Sequence, residues 1–167
     1  FMTFKNPTSP VLGIIWHSRT GAGEALAKSI ADGAGEHALL LRAEDVTAGD
    51  LLPCDGFAFV CPENLGTMSG MMKEMFDRCY YPLLGKVAGK PYASVICAGS
   101  DGTGAQGQLD RIVTGWRLKR VTDQTIVLFD AQTPEAILAP KAVMQSDLDK
   151  CRDLGAGLTE GLRSGIF

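Results

Sequence analysis

The residues most suited to chemistry form one polar loop, His17-Ser18-Arg19-Thr20-Gly21-Ala22-Gly23, between an apolar run and a helical pattern. The hydroxyls of Ser18 and Thr20 can donate hydrogen bonds to phosphate oxygens, and Arg19 adds positive charge. The two glycines let the main chain approach a ligand without a Cβ clash. Because the loop leads into a helix, it also presents unpaired backbone N–H groups and the positive end of the helix dipole. These features predict a phosphate site over residues 18–23; the alternative is a plain strand-to-helix turn with a hydroxyl cap.

Other phosphate-binding motifs do not match this loop. A Walker loop ends in Gly-Lys-Ser/Thr, whereas this chain continues Gly23-Glu24-Ala25. A dinucleotide-binding fingerprint needs a third small residue where Leu26 stands, although Glu44 and Asp45 follow at about the 20-residue spacing of that motif's acidic residue. The loop also lacks the cysteine that a tyrosine phosphatase uses as its nucleophile.

Apolar runs alternate with helical patterns along the chain, and no internal repeat or linker interrupts them. Five runs have the length and composition of strands: residues 11–16, 38–41, 56–61, 92–98 and 125–129. Helical spacing fills residues 24–34, 72–79, 109–116 and 144–162. Since the strands are apolar throughout, they are expected to be covered by helices on both faces of an open parallel sheet. The pattern predicts a single α/β domain over residues 1–167, with an irregular segment at 1–9.

In an open parallel sheet, ligands bind beyond the carboxyl ends of the strands. Three loops occupy such positions, at residues 17–23, 62–69 and 98–105, and all are rich in Gly, Ser, Thr, Asn or Asp. We therefore expect these three loops to form one site. The segment 42–50 after the second strand is charged and is interpreted as a connector.

Composition excludes several classes of function. The net charge of −3 gives no electrostatic reason to expect a nucleic acid or an anionic membrane as partner. No apolar run is long enough to span a bilayer, and no signal segment opens the chain. The five cysteines have no metal-ligand spacing, which predicts no metal site and free thiols in a reducing, cytoplasmic setting.

Three segments resemble the flavodoxin-like FMN-binding family. Ser18-Arg19-Thr20-Gly21-Ala22-Gly23 resembles the flavodoxin phosphate loop, Ser/Thr-x-Thr-Gly-x-Thr. PENLGTMSGMMKEMFDR, residues 62–78, resembles the second flavin loop and following helix of the NAD(P)H:quinone oxidoreductase and NADPH-dependent FMN reductase-like branch. The run from Gly89-Lys90-Pro91 to AGSDGTGAQGQ has the form of the third loop. The resemblance covers residues 11–129 and implies FMN on a five-stranded sheet of order 2-1-3-4-5, with helices on both faces.

The resemblance also implies which residues contact FMN. At the phosphate they are Ser18, Arg19, Thr20, Gly21, Ala22 and Gly23. Around the isoalloxazine ring they are Pro62, Glu63, Asn64, Leu65, Gly66 and Met68, together with Ala98, Gly99, Ser100, Asp101, Gly102 and Gly104. No catalytic side chain is identified, because backbone groups beside the flavin can stabilise charge without titrating.

The chain departs from the family pattern at four points. Gly23 replaces a threonine of the phosphate loop, Leu65 replaces an aromatic residue and Thr67 replaces an asparagine. Residues 99–104 contain neither Tyr nor Trp. Electron-carrier flavodoxins cover the flavin with aromatic side chains, so an uncovered ring favours stacking of a nicotinamide or quinone and hydride transfer.

The favoured function is transfer of electrons from NAD(P)H through FMN to a quinone or a similar small acceptor. The alternatives are an electron carrier and a partner-binding protein that has lost FMN. The resemblance further implies a homodimer or homotetramer.

Several side chains near these loops have two interpretations. His17 could supply a proton, but a local hydrogen bond at a strand end is preferred. Asp101 either approaches the flavin or forms an Asp-Gly turn. Cys61 and Cys97 are interpreted as small buried hydrophobic residues.

Overall fold

The computed structural model describes residues 9–167, and nearly all of the segment expected to be irregular lies outside this range. Seven strands form the sheet: β1 (Leu12–Trp16), β2 (Ala38–Arg42), β3 (Gly56–Asn64), β4 (Thr67–Met68), β5 (Pro91–Ala98), β6 (Lys119–Arg120) and β7 (Thr125–Leu128). The parallel core has the order β2-β1-β3-β5, and both β6 and β7 pair with the outer edge of β5. Counted without the two-residue strands β4 and β6, the order is 2-1-3-4-5, as predicted.

Residues 9–167 also contain six α-helices and one 3-10 turn, and the last two helices follow the last strand. The helices are α1 (Ala22–Ala34), α2 (Ala48–Leu51), α3 (Gly70–Leu83), α4 (Thr103–Gly115), α5 (Pro134–Leu138) and α6 (Gln145–Ser164), and the 3-10 turn is Gly35–His37. The regular helices follow the predicted apolar spacing. The short helices α2 and α5 were not predicted, and α2 lies within the segment that was interpreted as a connector.

Two apolar layers hold the sheet between the helices. One face packs against α1 and α6 through residues such as Leu26, Ile30 and Leu158. The other face packs against α3 and α4 through residues such as Phe76 and Trp116. The central strands β1, β3 and β5 are buried because helices cover both their faces, which explains their continuous apolar sequences. The edge strand β2 is only partly covered and leaves Leu39 and Leu40 exposed.

The third strand in the chain, β3, continues past the predicted end at residue 61. It runs to Asn64 and turns back into β4, which pairs with it in antiparallel register, Glu63 with Met68 and Asn64 with Thr67. The second polar loop is therefore a hairpin that projects from the carboxyl end of the sheet. This hairpin and the loops that follow β1 and β5 lie at the same edge, where the sequence predicts the site.

Candidate functional site

The three predicted loops meet at one cleft at the carboxyl end of the sheet, which we name the loop cleft. Its lining residues are Ser18, Arg19, Thr20, Ala22, Gly23, Pro62, Glu63, Asn64, Cys97, Ala98, Gly99, Phe129, Ala131, Ile137 and Lys141. The enclosed volume is about 50 Å³, so a small group fits among the loops, while a larger ligand remains in contact with solvent.

Backbone amides of the first loop are available to a ligand. Within the described part of the chain, the amides of Thr20, Ala22 and Gly23 have no hydrogen-bond partner, although Ala22 and Gly23 are buried. The amide of Gly21 donates to Ser18 Oγ at 3.1 Å, which closes the turn. Buried amides without an acceptor at the start of a helix form an anion site, because they combine open donors with the positive end of the helix dipole.

Gly23 has a steric role in this loop. A Cβ at this position would lie 2.4 Å from the carbonyl oxygen of His17, and backbone cannot move aside as a flexible side chain can. The end of β1 and the first turn of α1 thus touch at a point where only glycine fits. Gly21 has a φ of +102°, the left-handed region that glycine adopts without strain. The threonine of the family pattern is absent because the backbone occupies its space.

His17 connects the first loop to the second. Its Nδ1 lies 2.8 Å from Oγ of Ser69, which is completely buried at the start of α3. Burial lowers the pKa of His17; Glu44 partly opposes this shift, and Arg42 and Arg19 add to it. The imidazole is thereby favoured in its neutral form and takes part in a local hydrogen bond, which is the preferred interpretation of this residue.

The second loop is a tight two-residue turn. Leu65 and Gly66 have φ values of +54° and +75°, as required between closely paired antiparallel strands. Leu65 is fully exposed and does not line the loop cleft. No aromatic side chain therefore stands at the hairpin tip, and the residue that replaces it covers nothing.

Glu63 fixes the hairpin to the third loop. Its carboxylate accepts hydrogen bonds from the amides of Gly102, at 2.9 Å, and Ala105, at 3.0 Å, at the start of α4. A Cβ on Gly104 would lie 2.0 Å from the carbonyl oxygen of Gly66, so the two loops are in direct backbone contact. Both carboxylate oxygens of Glu63 are occupied, which gives this residue a positioning role.

The third loop is held by local interactions. Asp101 accepts hydrogen bonds from Thr103 Oγ1 at 2.8 and 2.9 Å, which is the Asp-Gly turn that sequence analysis weighed against a flavin contact. A Cβ on Gly99 would lie 2.3 Å from the carbonyl oxygen of Ala131, so the segment after β7 packs directly on this loop.

A segment that sequence analysis missed completes the cleft. Residues 129–141, which include α5, cross the first loop, where the Lys141 amide donates to the Thr20 carbonyl oxygen at 2.9 Å. The Lys141 ammonium donates to three carbonyl oxygens at the end of α5, those of Ala136, Ile137 and Ala139. This network fixes a positive charge at the rim of the cleft. The only available signal was the lysine itself, because nothing in the sequence shows that this segment folds back.

The structure brings together ten of the predicted site residues. Ser18, Arg19, Thr20, Ala22, Gly23, Pro62, Glu63, Asn64, Ala98 and Gly99 line the loop cleft. The remaining eight, which do not line it, are Gly21, Leu65, Gly66, Met68, Ser100, Asp101, Gly102 and Gly104. Among these, Met68 is buried in the core beside α3 and α4, and its amide donates to Gln108 Oε1 at 2.8 Å.

Two cysteines lie on the strands that lead to the cleft: Cys61 is within β3, and Cys97, near the end of β5, lines the cleft. Burial raises the pKa of Cys61 to about 12, and it also raises the pKa of Cys97 above the usual range. Thiols that stay protonated are poor nucleophiles. Both residues are therefore small hydrophobic side chains in the core, as their sequence context indicates.

Within residues 9–167, no helix combines the length and the apolar character that a membrane span requires. The same residues do not bring together three His, Cys, Asp or Glu side chains in a group that could hold a metal ion.

An open parallel sheet of order 2-1-3-4-5, with polar loops at the carboxyl ends of its strands, is the topology of the flavodoxin-fold class. Comparison with known proteins makes the assignment specific. Residues 47–132 match the model of the NADPH-dependent FMN reductase family. A flavodoxin from Aquifex aeolicus (strain VF5) is 30% identical over 156 residues, which are 88% of this chain and 84% of that protein. The chain belongs to the flavodoxin-like FMN-binding family.

Solved structures share the fold at lower identity. A flavodoxin from the domain Archaea superposes with a TM-score of 0.75 at 17% identity, over 91% of this chain and 98% of that one. The flavodoxin, WrbA-like protein from Agrobacterium tumefaciens has a TM-score of 0.70 at 19% identity, over 93% and 99%. The Flv1 flavodiiron core from Synechocystis sp. PCC6803 matches 95% of this chain with 37% of its own, at a TM-score of 0.74 and 19% identity. These structures show that the chain has the flavodoxin fold, and FMN binding follows from its family.

Proposed function

We propose that the chain is an oxidoreductase that uses FMN to pass electrons from NAD(P)H to a quinone or a similar small acceptor. The observation behind this proposal is the form of the loop cleft, which has open amides at one end and no aromatic cover from either ring loop. FMN supplies hydride or electron transfer, and the protein binds it, orients it and leaves a second ring room to stack.

Different residues of the loop cleft contact the phosphate and the ring of FMN. The amides of Thr20, Ala22 and Gly23 hold the phosphate, and Lys141 adds a fixed positive charge beside them. Backbone groups of residues 62–64 and 98–99 contact the ring. Side chains that titrate are not needed in these roles, because backbone N–H groups stabilise negative charge at any pH.

Phe129 is an aromatic residue that the sequence did not place in the cleft. It packs against the apolar layer beneath α1 and α6, so it forms part of the wall instead of a lid. Its position is therefore compatible with access of a nicotinamide or quinone ring to the flavin.

Reconstitution with FMN tests the proposal. Purified protein with FMN is expected to retain flavin absorbance and to oxidise NADH or NADPH when a quinone is present. Thr20→Asp is expected to abolish FMN binding by repulsion between the carboxylate and the phosphate, whereas the neutral variant Thr20→Asn of the same size should retain it. If FMN is retained without any turnover, the protein is not this enzyme.

The second candidate is an electron carrier, which the flavodoxin name of the Aquifex aeolicus relative favours. Stepwise reduction of the FMN-loaded protein distinguishes the two. A stable long-wavelength absorbance band at half-reduction supports the carrier, whereas direct passage to the two-electron-reduced spectrum supports the oxidoreductase. Absence of FMN binding supports the third alternative, a partner-binding protein.

A further inference from the structure

A second pocket lies beside the first loop and is not explained by FMN. We name it the side pocket; it is lined by Trp16, Ser18, Arg19, Gly21, Glu24, Arg42 and Glu44. Its volume is about 400 Å³, which lies within the range of small-molecule sites. Ser18 and Arg19 line both pockets, so the side pocket and the loop cleft meet across the phosphate loop.

The strand order places the side pocket opposite the ring loops. β1 lies between β2 and β3, and the ring loops follow β3 and β5. The side pocket is formed instead by the ends of β1 and β2, at Trp16 and Arg42. A ligand with its phosphate at the first loop can therefore extend from the ring loops on one side to the side pocket on the other.

An aromatic face and an open cation are present in the side pocket. Trp16 is partly exposed, and the guanidinium of Arg42 lies 6.0 Å from its ring centroid. Arg19 is exposed and has no hydrogen-bond or ion-pair partner among the described residues. A purine stacks on such an aromatic or guanidinium surface, and an unpaired arginine suits a phosphate.

Glu44 supplies an acceptor that lacks a donor. Its Oε2 accepts from Arg42 at 2.7 Å, but its Oε1 is buried and has no partner within the described residues. A buried acceptor without a donor is unfavourable, because it has lost its hydrogen bonds to water. Arg42, which covers this carboxylate, has an exposed side chain and can move aside for a ligand hydroxyl. An acidic residue after the second strand accepts from ribose hydroxyls in dinucleotide sites.

The charges argue against a free anion as the main ligand. Arg19 and Arg42 are balanced by Glu24 and Glu44, so the four ionised side chains of the pocket sum to zero. A neutral sugar and base fit a pocket without net charge. A phosphate fits only beside Arg19, which lines both the side pocket and the loop cleft.

We propose that the side pocket binds the adenosine 5′-phosphate part of a dinucleotide. The adenine stacks on Trp16 or Arg42, and the ribose hydroxyls donate to the Glu44 carboxylate. Arg19 contacts the 5′-phosphate of the adenosine. Two molecules have this chemistry, FAD and the nicotinamide donor. The inference rests on the proposed role of the first loop in holding the FMN phosphate.

The test compares Glu44→Ala with Asp45→Ala. Both remove a carboxylate beside Arg42, but Asp45 lies 3.9 Å from it and does not line the pocket. Affinities are measured for FMN, for FAD, and for NADP⁺ with the FMN-loaded protein. Glu44→Ala is expected to weaken FAD or NADP⁺ roughly tenfold and FMN less than twofold, as for loss of one hydrogen bond to a charged group. Asp45→Ala is expected to leave all three affinities unchanged.

The affinity that falls identifies the source of the adenosine. A change for FAD alone assigns the pocket to a dinucleotide flavin, a change for NADP⁺ alone assigns it to the donor, and a change for both means that they share it. Unchanged affinities for both, or equal losses in Asp45→Ala or for FMN, overturn the inference. Failure of the wild type to bind FMN overturns the proposed function instead.

Trp16 provides an independent signal. Occupation of the side pocket is expected to quench its fluorescence, and Trp16→Phe should lose the quenching but retain binding. Trp116 is completely buried and does not line the side pocket; because a flavin also quenches tryptophans at a distance, the signal is read with NADP⁺ added to the FMN-loaded protein. Ligand binding without any change in Trp16 emission would contradict stacking on this residue and overturn the assignment.

Discussion

Gly23 shows how one residue can depart from a family pattern for a steric reason. The missing threonine hydroxyl suggests weaker phosphate binding, and restoring it looks favourable from sequence alone. The structure predicts the opposite, because a Cβ at residue 23 would lie 2.4 Å from the His17 carbonyl oxygen. Gly23→Thr is expected to lower the free energy of unfolding by about 1–3 kcal/mol, as for overpacking, and to weaken FMN binding.

Urea unfolding and FMN titration measure these two effects. The matched control is Gly107→Ala in α4, where a Cβ would meet nothing within 4 Å. This control is expected to be neutral or stabilising, because alanine is the better helix former. Tighter FMN binding by Gly23→Thr would show that the hydroxyl matters more than the backbone contact.

His17 is expected to make stability depend on pH. Its pKa is lowered in the folded state, so the unfolded chain binds a proton more readily. The contribution of His17 to the free energy of unfolding is fully present above the pKa of the unfolded chain, about 6.5. It is lost as the pH falls through the pKa of His17 in the folded state. His17→Gln removes this component, so the difference in unfolding free energy between wild type and variant should shrink between about pH 7.5 and pH 5.5. His37→Gln serves as the control, and parallel pH profiles for wild type and His17→Gln would refute the assignment.

Lys141 is expected to raise the affinity for FMN only through attraction between its positive charge and the phosphate. Lys141→Met removes the positive charge at the rim and should weaken FMN roughly tenfold, an effect of about 1.4 kcal/mol, while Lys141→Arg retains most of the affinity. Riboflavin has no phosphate, so its affinity should not respond. Lys150→Met, on α6 beside a different pocket, is the control. Equal weakening of FMN and riboflavin would mean that Lys141 positions the segment instead of supplying charge.

At the scale of elements, α1 and α6 cross at two glycines. A Cβ on Gly33 would lie 1.9 Å from the Arg152 carbonyl oxygen, and one on Gly155 would lie 2.0 Å from that of Ile30. The helix backbones therefore touch, and no larger residue fits between them. Glycine is a poor helix former, but Gly155 allows the closest packing of α6 on α1.

Alanine substitutions in α6 separate these two effects. Gly155→Ala is expected to reduce the free energy of unfolding by about 1–3 kcal/mol, because the helices must move apart. Gly157→Ala, two residues along the same helix and with nothing within 4 Å of a Cβ, should stabilise by roughly 0.5–1 kcal/mol. Denaturant unfolding of both variants checks the signs. Similar effects at the two positions would contradict the close crossing.

Sequence predicted the elements that have strong apolar periodicity and missed those that do not. The five long strands and the helices α1, α3, α4 and α6 bury continuous apolar faces, which leave a readable pattern. The five-residue helix α5 has no buried residue, and its position depends on the segment folding back over Thr20. The sequence predicts a loop at Leu65 instead of a hairpin, because leucine is not a typical residue for a turn with positive φ.

The candidate site was predictable to the same extent. The three loops could be placed from strand order, since carboxyl ends of parallel strands share one edge of a sheet. The role of Glu63 could not be predicted, because the sequence does not show whether a carboxylate in a polar loop faces a ligand or a neighbouring helix. Lys141 lies over 100 positions after the first loop, and only tertiary packing brings it there.

At the scale of the whole molecule, contacts hold the three loops together without a ligand. His17 bonds to Ser69, Glu63 bonds to the start of α4, and Lys141 bonds to Thr20. Binding to loops that are already in place loses little affinity to ordering them. FMN is therefore expected to stabilise the folded chain as a whole, because in the proposed binding mode its phosphate and ring contact segments that follow four different strands.

The size of this stabilisation follows from mass action. At a free concentration 100 times its Kd, FMN should raise the unfolding free energy by about 2.7 kcal/mol, and the midpoint of thermal unfolding should rise by roughly 5–11 °C for a chain of this size. Riboflavin at the same concentration should give a smaller rise because it leaves the buried amides of Ala22 and Gly23 without an acceptor. Thr20→Asp should remove the response to FMN and keep that to riboflavin. An equal response of the wild type to both ligands would mean that the ring alone is bound, and the first loop would then have no role in holding the cofactor.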